Sequence, residues 1–407
     1  MVARAGRPVA DDFAPPPDAA TRARWAAADA EARPGRLARL RERFASDGVD
    51  AYFGVRPEHS RWLTGFRLDE GEDKVAGHSG QFLVGPDSLT VLADSRYTIQ
   101  AKEQVTGATI RDVGYDLPGA WRELLGGVRA KRVAVEAAMS HALWQRVVAA
   151  APEVELVPVE GWLEAWRATK TPDEVERIAA ACAVADRALA TLLPEIRPGV
   201  SEADLALRLE WLIRTSGAEA LAFPVACLAG AQAALPHGAP GERPVVAGTV
   251  LLFDFGAQVE GYRSDMTRTL FVGEPTASAL EVYQLVARAQ QAAIDALAAS
   301  VAGGGMPISG RAADAAARTI IEAAGHGAHF GHGTGHGIGL ATHEDPRLSR
   351  VAAEAALPSP TVFSVEPGVY LEGELGARIE DLVHLDASRG LLERLTHFPR
   401  DPLVVGV

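Results

Sequence analysis

The most constraining feature of this sequence is a set of acidic residues that interrupt apolar runs of strand-like length. Asp254 ends the apolar run Val250–Phe253, Glu366 interrupts a second largely apolar stretch, and Glu380 interrupts the predicted strand Ala377–Leu385. A carboxylate is costly to bury unless it is paired or bound to a metal ion. Taken singly, these residues are explained as well by turn caps or by charges on an exposed edge strand. Together they require a fold that gathers them around a cation.

A second aspartate follows the first at short range. Glu260-Gly261 can form the reversal of a hairpin between Asp254 and Asp265, which we expect to return Asp265 to face Asp254 across two strands. Two facing carboxylates repel each other unless a cation lies between them. The alternative for this stretch is a pair of aspartates that cap turns.

A glycine-rich segment supplies histidines. Residues 331–339 contain His332 and His336, and His343 follows, so three histidines fall within twelve residues. Glycines allow the backbone and the imidazoles to crowd a small site. The segment is not a nucleotide-binding G-x-G-x-x-G, because His336 occupies its last position, and Arg347 prevents an HExxH motif. The alternative is a flexible loop with solvent-exposed histidines.

Together the acids and one imidazole form an oxygen-rich ligand set. Such a set suits hard or borderline ions such as Mn²⁺ better than thiolate-preferring ions. Four negative charges balance two divalent cations, which at roughly 3.5–4 Å can share a hydroxide and stabilise a tetrahedral intermediate. The sequence therefore predicts a dinuclear metal centre suited to hydrolysis.

Charge and hydropathy restrict the partners. The net charge of −13 is spread along the chain, which argues against nucleic acid or an anionic membrane as the main partner. No window approaches 18 apolar residues, so we expect no membrane span. The two cysteines, Cys182 and Cys227, are far apart and lack CxxC spacing, which fits a reducing compartment. We expect a cytoplasmic protein.

The secondary-structure signals divide the chain into three parts. Residues 1–34 are rich in Ala, Pro, Arg and Asp, and we expect a frayed arm with a short helix from Ala19 to Ala32. Residues 35–169 alternate strands and helices, as α/β domains do. Thr171 can cap a helix starting at Pro172, so a new domain is expected over residues 170–407.

The order of the motifs resembles the pita-bread metallopeptidases, which include methionine aminopeptidases, aminopeptidase P, prolidases and creatinases. The order is D-x(10)-D from Asp254 to Asp265, then GHGIG, then EPG, then R-x-E ending at Glu380. The resemblance covers about residues 172–395. It implies an α+β chain whose C-terminal pita-bread domain carries the site.

The first domain is similar to the creatinase-type N-terminal domain. The similarity lies in Tyr52–Gly65, in Gln81–Tyr97 and in Lys170-Thr171-Pro172. It implies a smaller α/β domain ahead of the catalytic one, and it favours the proline-directed branch over methionine aminopeptidases.

The resemblance also implies a role for each candidate residue. The metal ligands would be Asp254, Asp265, His336, Glu366 and Glu380, holding two divalent ions, with Mn²⁺ favoured and Co²⁺ or Zn²⁺ as alternatives. Glu366 would also accept the proton of the attacking water, and His343 would stabilise the intermediate or shuttle a proton. With His237, the family's substrate-side histidine, they form the catalytic set. The substrate-binding set is His332, Tyr370 and Arg378. A lone histidine such as His237 would otherwise be read as structural.

The implied activity is that of an Xaa-Pro aminopeptidase, acting on a peptide with proline at its second position. The alternative is an Xaa-Pro dipeptidase, or prolidase, restricted to dipeptides. A metal-free creatinase-like hydrolase and a non-enzymatic peptide-binding module of the same fold both predict lost ligands, whereas all five are present. A homodimer or homotetramer is expected. Gly230-Ala231-Gln232 replaces the family's frequent Gly-Pro-Asn. The resemblance therefore does not define the shape of the pocket for the substrate's first residue.

Overall fold

The computed structural model describes residues 7–68 and 77–406, and the chain forms two compact units. One unit spans residues 19–164, and the other combines the residues up to 18 with residues 165–407. In these described ranges no helix has both the length and the apolar content needed to cross a membrane.

A mixed six-stranded sheet is the centre of the unit at residues 19–164. Its strands are β1 (Ala51–Gly54), β2 (Phe82–Val84), β3 (Leu89–Leu92), β4 (Thr109–Arg111), β5 (Arg132–Glu136) and β6 (Glu155–Val159), in the order β4-β3-β2-β1-β5-β6. Its helices are α1 (Ala19–Asp47), α2 (Pro57–Thr64), α3 (Thr98–Gln104), α4 (Leu117–Val128) and α5 (His141–Ala150). Phe53 and Trp121 pack edge to face in its core, with ring centroids 4.9 Å apart. The predicted α/β domain is confirmed.

The N-terminal segment differs from the prediction. The predicted end of the short helix at Ala32 is wrong, because α1 runs from Ala19 to Asp47, 29 residues in all, and includes Pro34. Its buried residues Trp25, Leu40 and Phe44 lie on both sides of the proline, so one apolar face continues across it. Ahead of α1, Phe13 stacks on Phe398, which belongs to the same unit, with ring centroids 6.3 Å apart.

Pairs of helices and antiparallel strands alternate in the unit at residues 165–407. After a short helix α6 (Glu164–Ala168), the helices are α7 (Pro172–Leu192), α8 (Glu202–Thr215), α9 (Ala277–Val301) and α10 (Gly310–Ala323). The strands are β7 (Ala220–Leu221), β8 (Ala226–Ala229), β9 (Thr249–Phe255), β10 (Ala257–Val259), β11 (Tyr262–Arg263), β12 (Met266–Val272), β13 (Gly335–Gly337), β14 (Glu344–Leu348), β15 (Thr361–Val365), β16 (Gly368–Leu371), β17 (Leu375–Arg378), β18 (Asp381–Asp386), β19 (Leu391–Arg394) and β20 (Val404–Val405).

Two of the sheets carry most of the strands that bear candidate residues. One has the order β20-β12-β9-β8 and the other β14-β13-β15-β18-β19. The predicted start of α7 is confirmed, because the Thr171 side chain accepts a hydrogen bond from the backbone N–H of Glu174 and the Glu174 side chain caps Thr171 in return.

Two strand breaks position acids of the predicted site. The stretch Ala377–Leu385, expected as one strand, is two strands that separate at Ile379-Glu380 and pair with different partners. The Glu260-Gly261 turn forms as predicted, with φ of 47° and 82°. However, Thr267 rather than Asp265 lies directly opposite Asp254, and Asp265 sits between β11 and β12.

Candidate active site

The predicted ligand residues lie on elements of the two sheets or at their breaks. Asp254 is in β9, His336 is in β13, and Glu366 directly follows β15. Asp265 and Glu380 occupy the breaks, where a side chain is free of strict strand alternation. Asp265, His336 and Glu380 are 4%, 6% and 2% exposed. The fold thus buries acids that come from distant parts of the sequence.

These residues form one cluster. Asp265, His336 and Glu380 each offer a ligand atom within 4.8 Å of the others. The His336 Nε2 atom is 3.6 Å from Asp265 Oδ2 and 3.4 Å from Glu366 Oε1. Asp254 interacts electrostatically with Asp265, Glu366 and Glu380. The structure therefore brings all five predicted ligands together.

The electrostatics of the cluster fit a cation. Burial raises the pKa of Asp265 and of Glu380, and repulsion from neighbouring carboxylates raises both further. Burial also raises the pKa of Asp254. Within the described residues, Asp254 Oδ1 and Glu380 Oε1 are buried without a hydrogen-bond partner. Unsatisfied buried carboxylate oxygens are costly, and a divalent ion satisfies both requirements at once.

The orientation of His336 suits a ligand. Its Nδ1 atom is 3.0 Å from the carbonyl oxygen of Gly337, which accepts the Nδ1–H and leaves the Nε2 lone pair towards the acids. Ser364 Oγ accepts a hydrogen bond from the His336 backbone N–H and donates to Glu366 Oε1 at 3.0 Å. Burial opposes ionisation of Glu366, but His336, His332 and Arg378 lower its pKa overall. Glu366 is therefore held as a carboxylate.

Arg378 links the acids to the substrate-binding candidates. Its guanidinium donates to Asp254 Oδ2 at 2.6 Å, to Tyr370 Oη at 2.9 Å and to Thr267 Oγ1 at 2.8 Å. Thr267 Oγ1 in turn donates to Glu380 Oε2 at 2.7 Å. His332 Nε2 is 2.8 Å from Tyr370 Oη. The predicted set His332, Tyr370 and Arg378 is thus one hydrogen-bonded chain beside the cluster.

The remaining predicted histidines lie at the edge of the cluster. The rings of His343 and His336 have centroids 4.2 Å apart. Desolvation and the neighbouring His336 lower the pKa of His343 to about 4, so its imidazole is neutral near pH 7. The exposed His237 is close enough to affect the pKa of Asp254 and of His343.

A buried ion triad holds the His343 loop, and sequence reasoning missed it. Glu344 lies beside His343 and forms an ion pair with Arg167, and Lys170 Nζ is 3.4 Å from Glu344 Oε2. Glu344 Oε1 also accepts the backbone N–H of Ala341. The partners are more than 170 residues apart, so no local pattern signals them.

A second missed group holds the glycine-rich loop. Arg318 donates to the carbonyl oxygens of Phe330 and His332 and forms a bidentate pair with Asp314. Asp314 also accepts the backbone N–H and the hydroxyl of Thr334. An arginine four residues after an aspartate in a helix is the local signal for this pair. The pair fixes the backbone on both sides of His332.

A buried acid cluster with one oriented imidazole, set on antiparallel sheets of an α+β domain, defines a metal-dependent enzyme. Comparison with known proteins specifies the class. Metallopeptidase family M24 matches residues 176–387, and the creatinase/prolidase N-terminal domain matches residues 36–169. The chain belongs to metallopeptidase family M24, as the motif order predicted. The family implies a divalent metal ion.

Three relatives illustrate the similarity. The Xaa-Pro dipeptidase of Pyrococcus furiosus is 30% identical over 90% of this chain and 99% of its own length. The solved Xaa-Pro dipeptidase from Bacillus anthracis has a TM-score of 0.81 and 32% identity over 92% of this chain and all of that chain. The X-Pro aminopeptidase from Thermotoga maritima has a TM-score of 0.80 and 33% identity over 91% and 99%.

Proposed function

We propose that the protein is an Xaa-Pro dipeptidase, which hydrolyses the bond between the two residues of a dipeptide that ends in proline. The observation that carries this proposal is the buried cluster in which Asp265, His336 and Glu380 offer ligand atoms within 4.8 Å of one another. Beside it, Asp254 Oδ1 and Glu380 Oε1 are buried without a hydrogen-bond partner among the described residues. The relatives named as Xaa-Pro dipeptidases favour this alternative over the aminopeptidase that the motifs first suggested. The Thermotoga relative keeps the aminopeptidase as the second candidate.

We assign the metal ligands to Asp254, Asp265, His336, Glu366 and Glu380, with two Mn²⁺ ions favoured over Co²⁺ or Zn²⁺. Two bound divalent ions would lower the pKa of a shared water and polarise the scissile carbonyl. The excess negative charge of the cluster and the raised pKa values of Asp265 and Glu380 support this assignment.

Different side chains of the protein transfer the proton, stabilise the intermediate and bind the substrate. Glu366 is the proton acceptor, since its carboxylate stays ionised and Ser364 orients Oε1. His343 donates an N–H to the oxyanion of the tetrahedral intermediate. His237, which is close enough to affect the pKa of Asp254 and of His343, contacts the substrate. His332, Tyr370 and Arg378 bind the substrate beside the ligands.

A basic side chain is available for a dipeptide's carboxylate. Arg347 in β14 lies directly opposite the ligand candidate His336 in β13, so the two side chains share a face of the sheet. Arg347 also affects the pKa of His343. Its side chain is exposed and makes no hydrogen bond or ion pair with the part of the chain that the structure describes. Arg347 is therefore our candidate for holding the C-terminal carboxylate.

Substrate length decides between the two activities. Purified protein reconstituted with Mn²⁺ is assayed on Ala-Pro, on Ala-Pro-Ala and on Ala-Ala. We expect turnover of Ala-Pro alone, abolished by a chelator and restored by Mn²⁺. Turnover of Ala-Pro-Ala at a similar rate would favour the aminopeptidase, and metal-independent activity would contradict the assigned centre.

Two further predictions concern the protein's setting. We expect a homodimer or homotetramer. Size-exclusion chromatography with light scattering measures the molar mass that distinguishes these states from a monomer. The cytoplasmic location suggested by the two isolated cysteines also stays a prediction.

A further inference from the structure

A second polar cavity lies away from the ligand cluster. Its volume is about 340 Å³, within the range of small-molecule sites. It is lined by Ala287, Gln290, Gln291, Arg394, Pro399, Arg400 and Asp401. Nothing in the peptidase assignment uses these residues.

Two arginines of the lining, Arg394 and Arg400, share a buried acid with a third arginine that lies outside the lining. The guanidinium groups of Arg268, Arg394 and Arg400 surround the buried carboxylate of Asp381. Arg268 hydrogen-bonds to Asp381 Oδ1 at 2.7 Å, whereas Arg394 and Arg400 stay 3.7 and 3.8 Å from Oδ2. Asp381 also accepts from Thr396 and Gln290. Its acceptor capacity is thus largely used by other donors, which leaves two cations facing the cavity.

Arg394 is the clearest unsatisfied group. Its half-buried guanidinium makes no hydrogen bond within residues 7–68 and 77–406, although it has five N–H donors. Burial lowers the pKa of Arg394, and the nearby Arg400 and Arg268 lower it further, although the carboxyl groups of Asp381 and Asp186 act in the opposite direction. A half-buried cation with unused donors beside two others is stabilised by an anion.

Arg400 is held in place to share such an anion. It donates to the amide oxygens of Gln290 at 3.2 Å and Gln291 at 3.1 Å, which fixes its guanidinium against α9. Asp401 is the acid among the lining residues, and its side chain is exposed. The lining therefore carries two cations and one acid, and the acid faces solvent.

We propose that this cavity binds a phosphate group through Arg394 and Arg400. Planar guanidinium groups match the oxygens of phosphate, and a phosphate of charge −1.5 to −2 near pH 7 suits two cations better than a single carboxylate does. The phosphate is either free or part of a small phosphorylated metabolite, for which the cavity has room.

Isothermal titration calorimetry of the metal-loaded full chain tests the proposal, with inorganic phosphate and glycerol 3-phosphate as probes. We expect one phosphate-group site per chain, weakened roughly tenfold or more in Arg394→Gln, because charge-assisted hydrogen bonds contribute this much. Tighter binding of glycerol 3-phosphate identifies a metabolite as the source, and equal or weaker binding identifies the free ion. Both results support the site.

The control variant is Arg311→Gln with Arg214→Gln, two exposed arginines of the same unit. It removes at least as much positive charge and is expected to bind phosphate as the wild type does. Arg394→Gln should retain Ala-Pro hydrolysis and its circular dichroism spectrum, which reports a folded chain. Absence of binding by the wild type, or unchanged affinity in Arg394→Gln, would overturn the proposal.

Discussion

At the scale of the single residue, the buried acids of the C-terminal unit fall into two groups. The pKa of Asp381 is lowered despite burial, chiefly because Arg268 and Arg394 lie beside it. The pKa values of Asp265 and Glu380 are raised, because burial is reinforced there by other carboxylates. The cost of a buried charge depends on its partner. Asp265 and Glu380 are two of the residues that we propose as metal ligands.

Replacement of Asp265 by Asn separates metal binding from stability. The folded-state pKa of Asp265 lies above its ordinary value of 3.8, so its contribution to stability is present at low pH and is lost as pH rises. The Asn side chain has no proton to release and stays uncharged as pH rises. In a chelator, Asp265→Asn should therefore gain stability over the wild type as pH rises from about 4 to 8, by about 1 kcal/mol or more. Denaturant titration measures the difference.

With Mn²⁺ present, Asp265→Asn should be at a disadvantage to the wild type, because it lacks a ligand carboxylate. Asp265→Asn should lose more activity than the roughly 10–100-fold that removal of an outer partner of a ligand costs. Asp295→Asn, which neutralises an exposed acid of the same unit, is the control and should show neither effect. Full activity of Asp265→Asn with bound metal would contradict the ligand assignment.

Arg347→Gln tests recognition of the dipeptide's carboxylate. The KM for Ala-Pro should rise roughly 10–100-fold, the value of a charge-assisted hydrogen bond, whereas Ala-prolinamide, which lacks the carboxylate, should be unaffected. Arg350→Gln removes an exposed arginine three residues further on and serves as the control. An equal loss on both substrates would show that Arg347 has another role.

At the scale of secondary structure, the sequence predicts the strands better than their breaks. The alternation of apolar residues through Ile379 predicts one strand, and the chain indeed remains extended on both sides. The break arises because β17 pairs with β16 while β18 pairs with β15. Pairing with distant partners is not encoded in the local pattern. Glu380 could therefore be predicted as a candidate metal ligand, whereas its position at a break between two strands could not.

The His343 loop provides a prediction at this scale. Glu344→Gln leaves the buried Arg167 and Lys170 without their carboxylate, which costs about 3–5 kcal/mol when a buried pair is broken. We expect kcat for Ala-Pro to fall more than KM rises, since His343 is displaced from the intermediate. Equilibrium unfolding and steady-state kinetics measure the two effects.

An exposed ion pair of the same unit gives the comparison. Glu354→Gln breaks the exposed pair with Arg311 and should change stability by roughly 1 kcal/mol or less. If Glu344→Gln were equally mild, the triad would not anchor the loop.

At the scale of the whole molecule, the order of motifs predicted the family and the two kinds of domain. The helix at residues 19–47 was not predicted in full, because Pro34-Gly35 is a strong local signal for a break. Burial of Trp25, Leu40 and Phe44 outweighs that signal. The roles of Thr267 and Ser364 were not predicted either, because sequence patterns do not distinguish these residues from other strand residues. Their hydroxyl groups orient Glu380 and Glu366.

Metal binding should stabilise one unit selectively. Every assigned ligand lies between residues 254 and 380, and none lies in residues 19–164. At an ion concentration 100 times Kd, bound Mn²⁺ should raise the opening free energy by about 2.7 kcal/mol, which slows amide exchange about 100-fold in β9, β12, β15 and β18. Hydrogen exchange with mass spectrometry measures this. Equal slowing in β1 and β5 would contradict a locally bound ion.

One guanidinium also determines how the centre assembles. Arg268 donates to the backbone carbonyls of Thr267 and Glu380 as well as to Asp381, so it ties together chain segments that are 112 residues apart. This tie consists of protein groups alone. If the proposed ligands hold ions, their arrangement is set by the protein itself, so we expect one kind of ion to replace another without separation of the two sheets.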